Sequence, residues 1–257
     1  MKFNLALIAF YTIVIRESKR TFRVWRQSFL PSIITSILYF VIFGRVIGHR
    51  VGTMNGIPYL QFIAPGLIMM QIITSAYSSS VSAFFIAKFQ RQIQELLVSP
   101  MPAYVILFGF IVSAIIRGVL VGILITIIAL FFTHLRIHSW LIMLTVVFFA
   151  SFLFAIAGLV NGVYAKNFDD ITIIPTFVLA PLTYLGGVFY SIHLLPPFWQ
   201  IISLINPITY MINAFRYGFL GFADASILIA FAIIFSLIII LFIFANYLIN
   251  SGKGLRE

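Results

Sequence analysis

Apolar residues run along this chain in blocks too long for the core of a soluble domain. Stretches near 29–48, 59–87, 104–132, 140–162, 171–192 and 225–249 are almost continuously apolar. A helix rises about 1.5 Å per residue, so some 20 residues cross a hydrocarbon layer of ~30 Å. The pattern predicts an all-α integral membrane protein with six transmembrane helices. The second stretch is the least uniform, because it carries Gln71, Thr74, Ser75, Ser78, Ser79, Ser80 and Ser82. Such hydroxyls are tolerated in a bundle when they bond back to the i−4 carbonyl or across to another helix. The stripe therefore faces protein or a pathway, and Ser78 and Ser82 are candidates for lining one.

The first 28 residues obey another pattern. Leu5 to Ile15 is apolar but too short to span. Arg16, Lys19, Arg20, Arg23 and Arg26 then recur at helical spacing, with Ser18, Phe22, Trp25 and Phe29 on the adjacent stripe. This predicts an amphipathic helix over 1–28 lying in the membrane interface. A signal peptide would place its basic cluster before the apolar run, not after it.

Two further segments are irregular. Residues 88–103 hold a short helical stretch around Arg91–Val98, stopped by Pro100 and Pro102. A short polar helix between two spans suits docking to a protein outside the membrane; the simpler reading is a solvated connection. In 181–222, Pro181, Gly186 and Gly187 interrupt the fifth stretch, and Pro196, Pro197 and Pro207 break the segment after it. Irregular backbone at membrane depth must be buried in protein or line a cavity. Residues 191–223 are thus expected to form one or two re-entrant helices dipping from the outer side, the competing reading being a surface loop with amphipathic pieces.

Composition sharpens this picture. The chain has 257 residues, of which 62% are hydrophobic and 9% charged. Sixteen bases and six acids cannot coat a soluble domain, which ordinarily carries about 25% charged residues. A net charge of +10 can indicate nucleic acid, but here the charges sit in short connections between apolar runs, which points to membrane topology and anionic lipid heads. Lys2, Arg16, Lys19, Arg20, Arg23, Arg26, Lys88, Arg91, Lys166, Lys253 and Arg256 fall on one side; Arg45, Arg50, Arg136 and Arg216 fall on the other. The positive-inside rule then puts both termini in the cytoplasm. His49, His134, His138 and His193 fall outside, without ligand spacing, so no metal site is expected.

Arg117 lies midway along the third stretch. A charge at that depth must face protein, water or a partner group. It either lines a route and meets an anionic substrate, or serves packing and snorkelling. The pairs Gly44/Gly48, Gly118/Gly122 and Gly158/Gly162 have the small-xxx-small spacing of close helix contacts.

The chain has no phosphate-binding Gly-x-x-x-x-Gly-Lys-Ser/Thr loop and no hydrolase motif. ATP hydrolysis is not expected on this chain. Glu17, Glu95, Asp169 and Asp170 sit on the cytoplasmic segments, Asp224 precedes the last stretch and Glu257 is terminal. Ion-driven carriers usually keep a carboxylate within the membrane. A lone ion-coupled carrier or channel, and a non-transporting membrane scaffold, are therefore the lesser readings.

Several short pieces, in order, match a known pattern: Arg16-Glu17 with the bases after it, Glu95 to Pro100, Pro181 to Tyr190, Asn206 to Tyr210, and Phe215 to Gly218. The chain resembles the ABC-2 family of ABC-transporter permeases, and its small bacterial inner-membrane members in particular, over essentially its whole length as one domain, 1–257. The resemblance implies six spans, a homodimer with two separate ATP-binding subunits that hold ATP and magnesium, and export across the inner membrane. It implies no cofactor on this chain and no nucleic-acid partner; membrane lipids surround it. It implies that Glu17 lies near the ATPase contact and that Gln92, Glu95, Leu96, Leu97, Ser99 and Pro100 belong to a coupling helix. Gly186, Gly187, Tyr190, Pro196, Pro197, Asn206 and Pro207 would belong to the outer gate and re-entrant region. Ser78, Ser82, Arg117 and Tyr184 are assigned to the pathway; the Ser-rich stripe and Arg117 come from the residues themselves and match no family motif. Substrates of the family range over hydrophobic, amphiphilic, lipid-like, glycan and drug molecules, and the sequence does not choose among them.

Overall fold

The computed structural model describes residues 2–54, 56–99, 101–252 and 254. Pro100, Lys253, Arg256 and Glu257 lie outside them. The described residues fold almost wholly into helices: α1 (Lys2–Arg23), α2 (Trp25–Val41), α3 (Gly48–Val51), α4 (Tyr59–Phe89), α5 (Gln92–Val98), α6 (Ala103–Phe132) and α7 (Trp140–Tyr164), then α8 (Asp170–Ile174), α9 (Ala180–Leu185), α10 (Pro197–Ile205), α11 (Pro207–Leu220) and α12 (Ile227–Ser251). Their strand content is a two-residue antiparallel pair, β1 (Thr53–Met54) with β2 (Ile57–Pro58).

Among the described residues, five segments are long and apolar enough to cross a bilayer: Trp25–Val51, which joins α2 to α3 through a π-helical run over Ile42–Ile47, and α4, α6, α7 and α12. The fifth apolar stretch of the sequence becomes the shorter helix Asp170–Leu185, built of α8, a π-helical run over Pro175–Leu179, and α9. At 1.5 Å per residue it reaches roughly 24 Å, short of a ~30 Å core. Pro181 has no N–H to give the carbonyl four residues back, and the turn before it is widened. Gly186 and Gly187 then end the helix, Gly187 at φ +79°, where a side chain would be strained.

The bundle is organised around α4, with α6 and α7 on its flanks and α11 and α2 covering more of it. Small residues let these helices approach. Gly158 of α7 stands against the Tyr77 carbonyl, and one turn on Gly162 faces Phe84 and the Val81 carbonyl. From α6, Gly118 faces Ala76, and Gly122 faces Ile72. These two small-xxx-small pairs thus serve contacts within the chain. Phe62, Leu67, Ile68, Met69 and Ile73 of α4 are buried in one core; Phe84, with Ile13, Phe110, Leu159 and Leu248, builds a second.

The N-terminal helix is continuous from Lys2 to Arg23, with no break where the basic residues begin. It packs on α6, where Ile13 rests on Gly109. Leu5, Ile8, Tyr11 and Ile15 face outward and are exposed. The chain bends at Val24 (φ −102°, ψ 36°), which separates α1 from α2. That elbow is tied: Ser28 Oγ donates to the Thr21 carbonyl at 3.2 Å, and Arg117 Nη2 of α6 donates to the Ser28 carbonyl at 3.2 Å.

Candidate functional site

One end of the bundle gathers Arg16, Arg20 and Arg23, the α4–α5 turn with Lys88 and Arg91, and the α7–α8 connection. Lys88 Nζ donates to the carbonyls of Val163 (2.7 Å) and Ala165 (2.9 Å), closing the C-terminal end of α7. Glu17 is buried there. Arg16 Nε donates to its Oε1 at 3.1 Å, and Arg20 Nε lies 2.9 Å from its Oε2. Burial pushes the Arg20 guanidinium below its ordinary range, and the Glu17 carboxylate pulls it back up. Glu17 and Gln92, far apart in sequence, line one cleft of about 240 Å³ between α1 and the end of α4.

The short helix α5 leaves α4 through Arg91, a non-glycine residue in the left-handed region (φ 60°). Its faces divide cleanly. Ile93 is buried, and Leu96 and Leu97 pack beside it on the bundle. Gln94, Glu95 and Val98 point outward; Val98 is 87% exposed. Ser99 Oγ donates to the Leu96 carbonyl at 2.7 Å and finishes the helix. The residues expected to couple therefore split: Leu96 and Leu97 anchor α5, and Glu95 points outward beside Val98.

Next to the cleft between α1 and the end of α4, and sharing Arg20 and Ile86 with it, a groove opens between α2 and the α8–α9 segment, floored by α4. It has two chambers that share Pro175. The larger, about 690 Å³, contains Ser78, Ser82 and Arg117 with Arg20, Ser28 and Thr176. The smaller, about 290 Å³, contains Tyr184 with Tyr39, Gln71 and Thr74. All four residues assigned to a pathway from sequence thus lie along one groove, and Gln71, Thr74, Ser78 and Ser82 are the stripe of α4 that floors it. Tyr39 and Tyr184 bring their hydroxyls within 3.3 Å across its far end.

Beyond them lies the irregular region. Tyr190 donates to the Tyr184 carbonyl (3.0 Å) and Tyr59 to the Phe189 carbonyl (3.1 Å). Asn206 sits between α10 and α11: its Nδ2 donates to the Leu182 carbonyl (2.6 Å), and its Oδ1 accepts from the Ile208 N–H (3.0 Å) as an N-cap before Pro207. Pro196 precedes α10 and Pro197 opens it. Arg216, which the charge count assigns to an outer connection, is fully buried in α11. Its Nη2 donates to the Gly187 carbonyl (2.7 Å), its Nε donates to the Phe62 carbonyl (3.3 Å), and its guanidinium lies 4.0 Å over the Phe62 ring. Asn213 Oδ1 accepts from Arg216 Nη1 and from the Asp224 N–H. One side chain thereby joins α11, the start of α4 and the turn after α9. The signal in the sequence is a base inside a largely apolar 14-residue helix, but its partners lie 29 and 154 residues away.

Comparison with known proteins agrees with this architecture. The sequence profile described as ABC-2 type transporter matches residues 8–220. The chain is 51% identical over 254 residues to "Inner membrane transport permease YadH" of Escherichia coli (strain K12), covering 99% of each chain. It is 25% identical over 237 residues to "Nodulation protein J" of Rhizobium leguminosarum bv. viciae, covering 90% of this chain and 92% of that one.

Proposed function

Since this chain belongs to the ABC-2 type transporter family, we propose that it is the membrane-spanning permease subunit of an ATP-driven exporter in a bacterial inner membrane. A separate ABC ATP-binding subunit holds ATP and magnesium and does the hydrolysis. Two permeases and two such subunits make the working unit. The whole chain, 1–257, acts as one transmembrane domain with both termini in the cytoplasm. The short helix Asp170–Leu185 counts as the sixth span, and α10 and α11 are the re-entrant helices of 191–223 that close the outer end, with Gly186, Gly187, Tyr190, Asn206 and Pro207 at the gate. Its cargo is a hydrophobic or amphiphilic molecule, within the range of lipid-like, glycan and drug substrates.

The observation that carries this reading is the joint placement of α5 and the groove. An anchored helix with an exposed acid and a bare valine projects beside the mouth of a polar-floored groove that runs toward the re-entrant region. The name of the Escherichia coli relative supports the membrane assigned. Glu17 and Gln92, at the cleft beside α5, fit the rim of the ATPase contact; Glu95 and Val98 fit its centre, held by Leu96, Leu97 and Ser99. Pro100 is proposed as the stop after this helix.

The test is reconstitution with a candidate ABC ATP-binding subunit from the same organism, with ATP turnover read with and without candidate substrates. The reading expects a stable complex and substrate-stimulated turnover. Glu95→Arg is expected to cut stimulated turnover at least about tenfold, since reversing a charge at a docked contact costs on the order of 1.4 kcal/mol or more. The amount of permease in the membrane should not change, because Glu95 is exposed. Full stimulated turnover in that variant would refute the role of α5. Robust transport by the permease alone in liposomes would replace the exporter with a carrier.

A further inference from the structure

We infer that the large chamber at the α1–α2 elbow binds the oxyanion head of an amphiphile, a phosphate or phosphodiester joined to hydrocarbon. The inference narrows the cargo of the proposed exporter and rests on that reading for the claim that the bound molecule is transported.

The charge census of the chamber is one-sided. Arg20 and Arg117 line it, and among the described residues no Asp or Glu does. Arg20 is already engaged by Glu17, which lies in the neighbouring cleft. Among the described residues, no carboxylate lies within 4.0 Å of Arg117, and its guanidinium makes one hydrogen bond, to the Ser28 carbonyl. Its Nε is shut away from solvent with no hydrogen-bond partner among them. A guanidinium has five N–H donors in a planar fork, so most of those on Arg117 remain unengaged by protein. A cation held midway along a spanning helix is costly until an anion meets it. A tetrahedral oxyanion suits such a fork, since parallel N–H···O bonds form with two of its oxygens. The hydroxyls of Ser78 and Thr176 supply neutral donors around the same space, while those of Ser82 and Thr172 already donate to the Ser79 and Asp169 carbonyls.

The remaining wall decides what else the ligand carries. Val24, Val81, Ile86 and Ile171 give the chamber apolar surface, and its 690 Å³ falls in the range of small-molecule sites, far larger than a phosphate needs. Among the described residues, no aromatic side chain lines it. A cationic drug would want an acid or an aromatic face, and a bare sugar finds none of the rings it stacks on. An anionic head with an apolar body satisfies both halves of the lining.

Binding is tested on purified permease in neutral detergent with dioctanoyl phosphatidylglycerol, uncharged dioctanoylglycerol and inorganic phosphate as probes. The charged lipid should bind at least about tenfold tighter than the uncharged one, and phosphate should compete with it. Arg117→Gln should abolish the preference, while Arg117→Lys, which keeps the charge without the fork, should retain part of it. Equal binding of charged and uncharged lipid by the wild-type protein overturns the inference whatever the variants do. So does an unchanged preference in a folded Arg117→Gln protein. A second arm separates a resident lipid from cargo: the permease with its ATP-binding subunit, in phosphatidylcholine vesicles, is assayed for ATP-dependent transfer of the charged lipid between leaflets. Binding without transfer, in a complex that hydrolyses ATP, supports the site and overturns its role in transport. Binding by a permease that recruits no ATPase supports the site and refutes the exporter reading instead.

Discussion

Replacing Arg216 by methionine is expected to lower the melting temperature of the purified protein by about 10 °C. The volume is roughly kept, so the loss is chemical. The Gly187 and Phe62 carbonyls would lose the donors that Arg216 supplies at 2.7 and 3.3 Å. Each buried acceptor left without its partner costs on the order of 1–3 kcal/mol, and the cation over the Phe62 ring adds ~2 when desolvated. Against this stands the relief of no longer burying a charge, which leaves a net destabilisation of about 3–5 kcal/mol. For a chain of this size each kcal/mol moves the midpoint by roughly 2–4 °C. Arg216→Lys should recover less than half of the shift, since an ammonium cannot reach two carbonyls in the plane of a fork. A melting curve within about 2 °C of wild type for the methionine variant would show that Arg216 does not brace the fold.

Gly158→Ala should be almost as damaging, and its neighbour one turn away supplies the control. A Cβ at 158 would collide with the Tyr77 carbonyl oxygen, which belongs to the backbone of the central helix. No rotamer relieves that collision, so α7 must move off α4 along the most extensive helix contact in the chain. Overpacking of this kind costs about 1–3 kcal/mol, and here it falls at the upper end. At Gly162 the nearest atoms, Phe84 Cβ and the Val81 carbonyl, lie 3.2 Å from the built Cβ, which a few tenths of an ångström accommodates. Gly162→Ala should therefore cost well under half as much. Thermal melts of the two variants in the same detergent check the ordering; equal shifts would show that α7 is free to slide on α4.

Much of this was legible in the chain. Runs of apolar residues longer than a bilayer is thick became helices because no other arrangement satisfies the backbone there. The serine stripe of α4 was readable because a helix repeats its face every three to four residues, so Gln71, Thr74, Ser78 and Ser82 had to share one. Arg117 lines one chamber with Ser78 and Ser82 and also ties the elbow at Ser28, so both of its sequence readings have a counterpart. Other features were out of reach. The interruption of the fifth stretch at Gly186 and Gly187 was legible, but the positive φ at Gly187 that turns the chain back toward α4 was not. The role of Arg216 depends on carbonyls brought to it by tertiary packing, and a carbonyl leaves no trace in residue type. The division of α5 into anchors and exposed residues hinged on the Arg91 turn, whose left-handed backbone no local propensity announces at an arginine.

The central position of α4 has a mechanical consequence. Its 31 residues form one helix about 46 Å long. At one end it leads through the Gln90–Arg91 turn to α5, whose Ile93 is locked into the bundle; at the other its Phe62 is held by Arg216 and its Gly66 lies against Val188 in the turn after α9. A rod of that length tilted by about 5° carries its far end through roughly 4 Å. Under the exporter reading, a push delivered at α5 would pass the Gln90–Arg91 turn and reach the far end of the bundle as displacement of one long helix.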